Sequence, residues 1–101
     1  MKVTNMLSAK GNRVANQFIV EDVTIKHSSP NGTENFYTGS MFQSYKSNIA
    51  FEPISGNTLL DERYWNCSVT TSKYRNIFLC ETKKETMKKI ESGEYLLTNL
   101  N

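Results

Sequence analysis

The sequence predicts an α+β fold: a small antiparallel sheet of four strands, then two short helices, then a last strand, with the helices on one face of the sheet. Three observations predict it. Between residues 14 and 60, apolar and polar side chains alternate with the period of two that marks half-buried strands. Beyond residue 70 the period changes, and Tyr74, Ile77 and Phe78 stand at i, i+3 and i+4. After Ser92-Gly93 the chain returns to a short apolar stretch over 94–100. A run of strands followed by a run of helices is α+β, not the regular alternation of an α/β fold.

Each element has its own local cause. Lys10-Gly11-Asn12 is a turn, because Gly and Asn tolerate a positive φ. A strand over 14–23 places Asn16, Phe18 and Val20 on one face and Ile19 on the other, and the alternating residues 23–27 either continue it or bend away. Asn31-Gly32 after Pro30 favours a tight hairpin turn. The return strand is 35–38, and Gly39 interrupts it as a bulge. A third strand over 41–51 puts Phe42, Ser44 and Lys46 on one side and Gln43, Tyr45 and Ser47 on the other. It closes before Pro53, and Ser55-Gly56-Asn57 turns the chain into a short strand at 58–60.

The first helix is expected over about 71–80, with a hydroxyl of Thr71 or Ser72 capping its start. Thr82 and Glu85 form a capping box for the second helix. That helix turns Met87 and Ile90 inward and ends where Gly93 adopts a left-handed conformation.

At 101 residues the chain has the length of one domain. Its apolar content of 38% supports one small core. A net charge of +2 excludes an acidic DNA mimic and a histone-like polybasic protein. Two cysteines are too few for a disulfide-stapled secreted miniprotein. No apolar run reaches the length of a signal peptide or a membrane span. The expectation is a reduced, soluble, cytoplasmic protein that does not contact a membrane.

Catalytic chemistry finds little support. His27 is the only histidine and is expected at an exposed loop edge. Cys67 and Cys80 follow aromatic residues and are expected as small apolar core residues, not nucleophiles. Glu21-Asp22 and Asp61-Glu62 are adjacent in sequence, which on a strand sends the two carboxylates to opposite faces. One histidine and two cysteines show no zinc-ligand spacing, and the glycines are too scattered for a phosphate loop. No enzyme activity, metal or cofactor is expected.

Two segments carry cations that could face a partner. Lys84 and Lys88 lie one turn apart on the second helix, while Lys89 is placed to pair with Glu85. Their face is either simply solvated or a phosphate-facing patch. Residues 64–76 combine Tyr64, Trp65 and Tyr74 with Lys73 and Arg75. Here capping hydroxyls and core aromatics are one reading. A site for single-stranded nucleic acid or another anionic partner is a second, and a protein interface a third. The candidate binding residues are Tyr64, Lys73, Arg75, Lys84 and Lys88.

Three blocks of the chain resemble a family. They are Gly11-Asn12-Arg13-Val14-Ala15-Asn16-Gln17-Phe18-Ile19-Val20, then Phe42-Gln43-Ser44-Tyr45-Lys46-Ser47-Asn48-Ile49-Ala50, then 65–79 from Trp65 through Thr70-Thr71-Ser72-Lys73-Tyr74-Arg75-Asn76 to Leu79. Together with the ending from Glu81 to Asn101 they look like short proteins encoded by phages and mobile elements of low-GC Gram-positive bacteria. This chain departs in having Asn66-Cys67 where such proteins often show Asp-Tyr, and in a longer segment at 22–40. The resemblance implies a setting and no chemistry. In that setting small non-enzymatic proteins counter host defence. The expectation by analogy is an anti-CRISPR type of inhibitor that binds a host defence protein or a ribonucleoprotein such as a CRISPR effector. The alternative is a regulatory protein that binds nucleic acid. A sheet edge left open could pair with a second copy, so a homodimer and a monomer stand as alternatives.

Overall fold

A computed structural model describes residues 1–28 and 32–101. Five strands come first: β1 (Lys2–Leu7), β2 (Arg13–Ser28), β3 (Glu34–Ser44), β4 (Ser47–Pro53) and β5 (Thr58–Asp61). Two helices follow, α1 (Val69–Leu79) and α2 (Lys83–Ser92), and then β6 (Tyr95–Thr98). The strands form one sheet in chain order, β1-β2-β3-β4-β5-β6. The first four pairings are antiparallel. The last, β5 with β6, is parallel. A parallel pair needs a long crossover, and α1 and α2 supply it. The class is α+β, and the sheet is mixed.

Strand count and boundaries differ from the expectation, each for a physical reason. β1 was not expected as a strand, because of its six residues only Met6 is buried and no alternation marks the segment. β2 does continue through Val23 to His27. The segments 35–38 and 41–44 are one strand, β3, with Gly39 in its interior. The extra residue lies on β2 instead: Val20 pairs with Met41 and Val23 with Gly39, so Glu21 and Asp22 stand against Ser40 alone. Asp22 takes φ 56° within this bulge. Gly39 is required by close approach, since a Cβ there would lie 2.1 Å from the Glu52 carbonyl oxygen. The strand expected over 41–51 breaks at Tyr45-Lys46, and Tyr45 turns the chain at φ 56°. No glycine or proline announces that turn. The turn expected at Pro30-Asn31-Gly32 lies, apart from Gly32, outside the described residues.

Alternation sorts the sheet's side chains onto two faces. Ile19, Phe42, Ala50, Leu60 and Tyr95 meet the helices, and Tyr74, Phe78, Leu79 and Ile90 pack down on them. A bulge in β4 adds Ile49 to this layer. Val20, Met41, Phe51, Leu59 and Leu96 point the other way. No helix covers them. Val23 and Ile25 beyond the β2 bulge, Tyr37 on β3 and Leu100 pack against them instead. Both helices therefore lie on one face.

Candidate functional site

The helical layer is where the sequence places most of its candidate contacts. α1 starts at Ser68, whose Oγ accepts the Thr71 amide at 3.1 Å. Neither Thr71 nor Ser72 is the cap. Thr71 is instead buried, with its hydroxyl 2.9 Å from that of Ser44 on β3. Burial along α1 follows Thr71, Tyr74, Arg75 and Leu79, with Phe78 half-buried and stacked on Phe42 at 5.8 Å. That stripe leaves Ile77 on the outer side, 48% exposed, although its spacing from Tyr74 suggested the core.

Arg75 is the largest departure. It was expected to face a partner, and it is 0% exposed. Its guanidinium donates to the Trp65 carbonyl and to Asn76 Oδ1, and lies over the Trp65 ring at 5.2 Å from the centroid. Burial pushes its pKa below the ordinary value, and the negative charge of Glu81 opposes that shift. Arg75 thus pins α1 to the loop before it. Tyr64 is half-buried against the same core. With Trp65 under Arg75 and Tyr74 buried, the aromatics of 64–76 are engaged inside the protein.

The lysines divide. Lys73 is exposed, its Nζ 5.5 Å from the Tyr74 ring centroid. Lys84 and Lys88 are exposed on α2, as expected. Lys89 does not pair with Glu85. It bonds Glu81 at 2.8 Å and approaches Glu94 at 3.8 Å. Burial alone would raise the Glu81 carboxyl. Hydrogen bonds from Lys89, Thr86 and Tyr95 outweigh it and hold the carboxyl below its usual range. Burial, and then Glu81, pushes Tyr95 up to about 12. Glu85 closes the capping box with Thr82, as expected. Met87 is exposed, not inward, and Thr86 takes the buried position.

Other expected roles change too. Cys67 and Cys80 are exposed free thiols, not core residues. Cys80 is exposed because it occupies the left-handed cap of α1, at φ 57°. His27 is the last residue but one of β2 and is half-buried rather than exposed, its ring 6.3 Å from that of Tyr37. Asp61 is buried and Glu62 exposed. Asp61 accepts from the Arg63, Tyr64 and Leu100 amides and from Asn101 Nδ2, so it ties the chain's last residues to β5. Among the described residues, no group of three His, Cys, Asp or Glu side chains could hold a metal ion. Nor is any helix among them long and apolar enough to cross a membrane.

What the layer offers outward is an open groove of about 810 Å³ beside α1. Val69 and Ile77 supply its apolar part, Lys73 and Lys83 its charge, and Asn66 and Asn76 its amides. No acidic side chain lines it. Val69 is 89% exposed. Of the five residues singled out from sequence, only Lys73 lines this groove; Lys84 and Lys88 do not. Val69 and Lys83 were missed because each sits at the first position of a helix, where sequence shows a cap and not a face.

The three sequence blocks that carry the resemblance meet beneath α1. Gln17 pairs with Ser44, Ser44 bonds Thr71, and Arg75 lies one turn further along. Gln17 is fully buried, and among the described residues neither the oxygen nor the nitrogen of its amide has a hydrogen-bond partner. Beside it, Asn16 takes φ 65° and its carbonyl accepts the Tyr45 amide at 2.7 Å. The blocks therefore build the junction of β2, β3 and α1.

Residues 1–94 match a family of unknown function, DUF8033. The chain belongs to this family. No curated protein and no solved structure matches it. Membership covers all but the last seven residues and brings no activity with it.

Proposed function

We propose that this protein works by stoichiometric binding and not by catalysis, and that it inhibits a host defence system in the cytoplasm of a bacterial cell, in the manner of an anti-CRISPR protein. The observation that carries binding is the outer face of α1. Val69 and Ile77 stand in solvent on a helix whose inner side is locked by Arg75. Exposed aliphatic residues on a rigid, lysine-flanked helix suit an interface. The defence setting is supported by the resemblance to short phage and mobile-element proteins, and by nothing in the geometry.

Lys84 and Lys88, exposed one turn apart on α2, favour a second reading, a regulatory protein that binds nucleic acid. One experiment separates the two. The tagged protein is purified from a defence-carrying host, with and without nuclease. A partner protein that survives nuclease, in a discrete complex, supports inhibition by binding. A yield that vanishes with nuclease moves the function to nucleic acid. No partner under either condition removes both.

A further inference from the structure

We infer that the groove beside α1 receives an acidic amphipathic helix of the partner protein, anchored by two aliphatic side chains. This rests on the binding reading above and names the partner's chemistry at that site.

The charge in and around the groove has one sign. Lys73 and Lys83 flank it, and no carboxylate lines it. Among the described residues neither lysine enters an ion pair, whereas Lys26 and Lys89 do. α1 also has no acidic residue in its first turn, so the positive end of its backbone dipole is left uncompensated next to Val69. An occupant with carboxylates would complement all three. The apolar part is matched in length. Val69 and Ile77 are eight residues apart, which on a helix is about 12 Å. Two aliphatic residues about two turns apart on a partner helix would meet them. Lys73 stands between them, one turn from each, and beside it α1 carries Ser72 and Asn76, short enough to let a second helix approach on that side at the usual 8–10 Å between axes while Lys73 meets its carboxylates. Ser72 is held out of the way, its hydroxyl donating to Asn66 Oδ1 at 3.0 Å.

Nucleic acid fits this groove less well. Single strands are held by stacking on exposed aromatic rings as well as by cations. No aromatic side chain lines the groove, and Trp65 and Tyr74 are turned to the core.

The test is site-specific photocrosslinking of the full chain in host cells. A benzophenone amino acid is placed at position 69, at position 77 and, as a control outside the groove, at position 36, where Phe36 is exposed on β3. The expected result is that positions 69 and 77 both crosslink to one protein, within a segment rich in Asp or Glu and aliphatic residues. The pair Lys73→Glu and Lys83→Glu should cut that yield by about tenfold or more, as like-charge juxtaposition does. Both lysines are exposed, so the double variant should keep the wild-type circular dichroism spectrum. Crosslinks to nucleic acid, to a second copy of this chain, or to a segment without acids would each overturn the inference. So would a yield indifferent to the charge reversal. If position 36 captures a partner while 69 and 77 do not, the groove is not the site and the binding reading survives. If no position captures anything, the binding reading fails as well.

Discussion

α1 and α2 are neighbours of nearly equal length on one face of one sheet, and they are held in opposite ways. α1 is held from inside. Its buried stripe includes a cation, Arg75, whose guanidinium grips the Trp65 carbonyl and Asn76. α2 is held from its ends and its rim, by the Thr82–Glu85 capping box and by the cluster in which Glu81 gathers Lys89, Thr86 and Tyr95. The difference teaches where function can sit. A helix pinned through its core leaves its outer side free of structural duty, and on α1 that side is aliphatic. On α2 one lysine, Lys89, is structural and three, Lys83, Lys84 and Lys88, are not.

Substitutions at five positions would break or sharpen this contrast. The largest effect is expected from Arg75→Ala, which removes a fully buried side chain and strands the groups it bonded. A loss of about 3–4 kcal/mol is expected in urea unfolding. Arg75→Lys should recover little of it, because a point charge cannot grip the Trp65 carbonyl and Asn76 with one planar fork.

Glu81→Gln should cost less, about 1–3 kcal/mol, because it weakens a charge-assisted cluster at the edge of α2. Its pH signature is distinctive. The Glu81 carboxyl is depressed below its ordinary 4.5, so its contribution is present above that pH and lost as pH falls through the folded value. Lys89 is raised from 10.5, and its contribution is present below that pH and lost on the alkaline side. Tyr95 is raised from 10.0 to about 12, so the folded form loses ground between those values. Wild type should therefore weaken at both limbs. The Gln variant should show a flatter acid limb in thermal melts, and an acid limb identical to wild type would contradict the cluster.

Cys80→Gly should act in the other direction. Cys80 closes α1 in the left-handed region, which glycine adopts without steric cost. A gain of about 1 kcal/mol is expected. At this chain size that is a rise of about 4–8 °C in Tm.

The smallest effect is expected from Val69→Ser and Ile77→Ser. Both side chains are largely solvated, and stability should change by no more than about 0.5 kcal/mol. A larger loss in unfolding measurements would mean that the outer side of α1 has a structural role after all.

These contrasts were unevenly legible in the sequence. α2 was readable because its signals are local: Thr82 and Glu85 three residues apart, and Gly93 after the last turn. α1 was harder. Lys73 and Arg75 look alike on paper, and the buried stripe of α1 includes Thr71 and Arg75, polar residues that no hydropathy pattern assigns to a core. By hydropathy alone Ile77 reads as a core residue and Arg75 as a surface one. β1 escaped notice because an edge strand with one buried residue has no alternation to read. The Tyr45-Lys46 turn carries no turn residue, and the Asn16 carbonyl that meets its amide lies on another strand.

By itself the sequence determined the class, strands first and helices after, because the period of apolar side chains is a local property of the chain. It also determined the capped ends of α2, whose donors and acceptors lie within one turn of each other. Only the tertiary structure decided which cation is buried, which aliphatic residues face solvent, and that β5 and β6 run parallel. Each of those depends on what a side chain meets across the fold: Arg75 on a carbonyl ten residues away, Thr71 on the Ser44 hydroxyl of β3, and Val69 on how little covers it in the open groove beside α1.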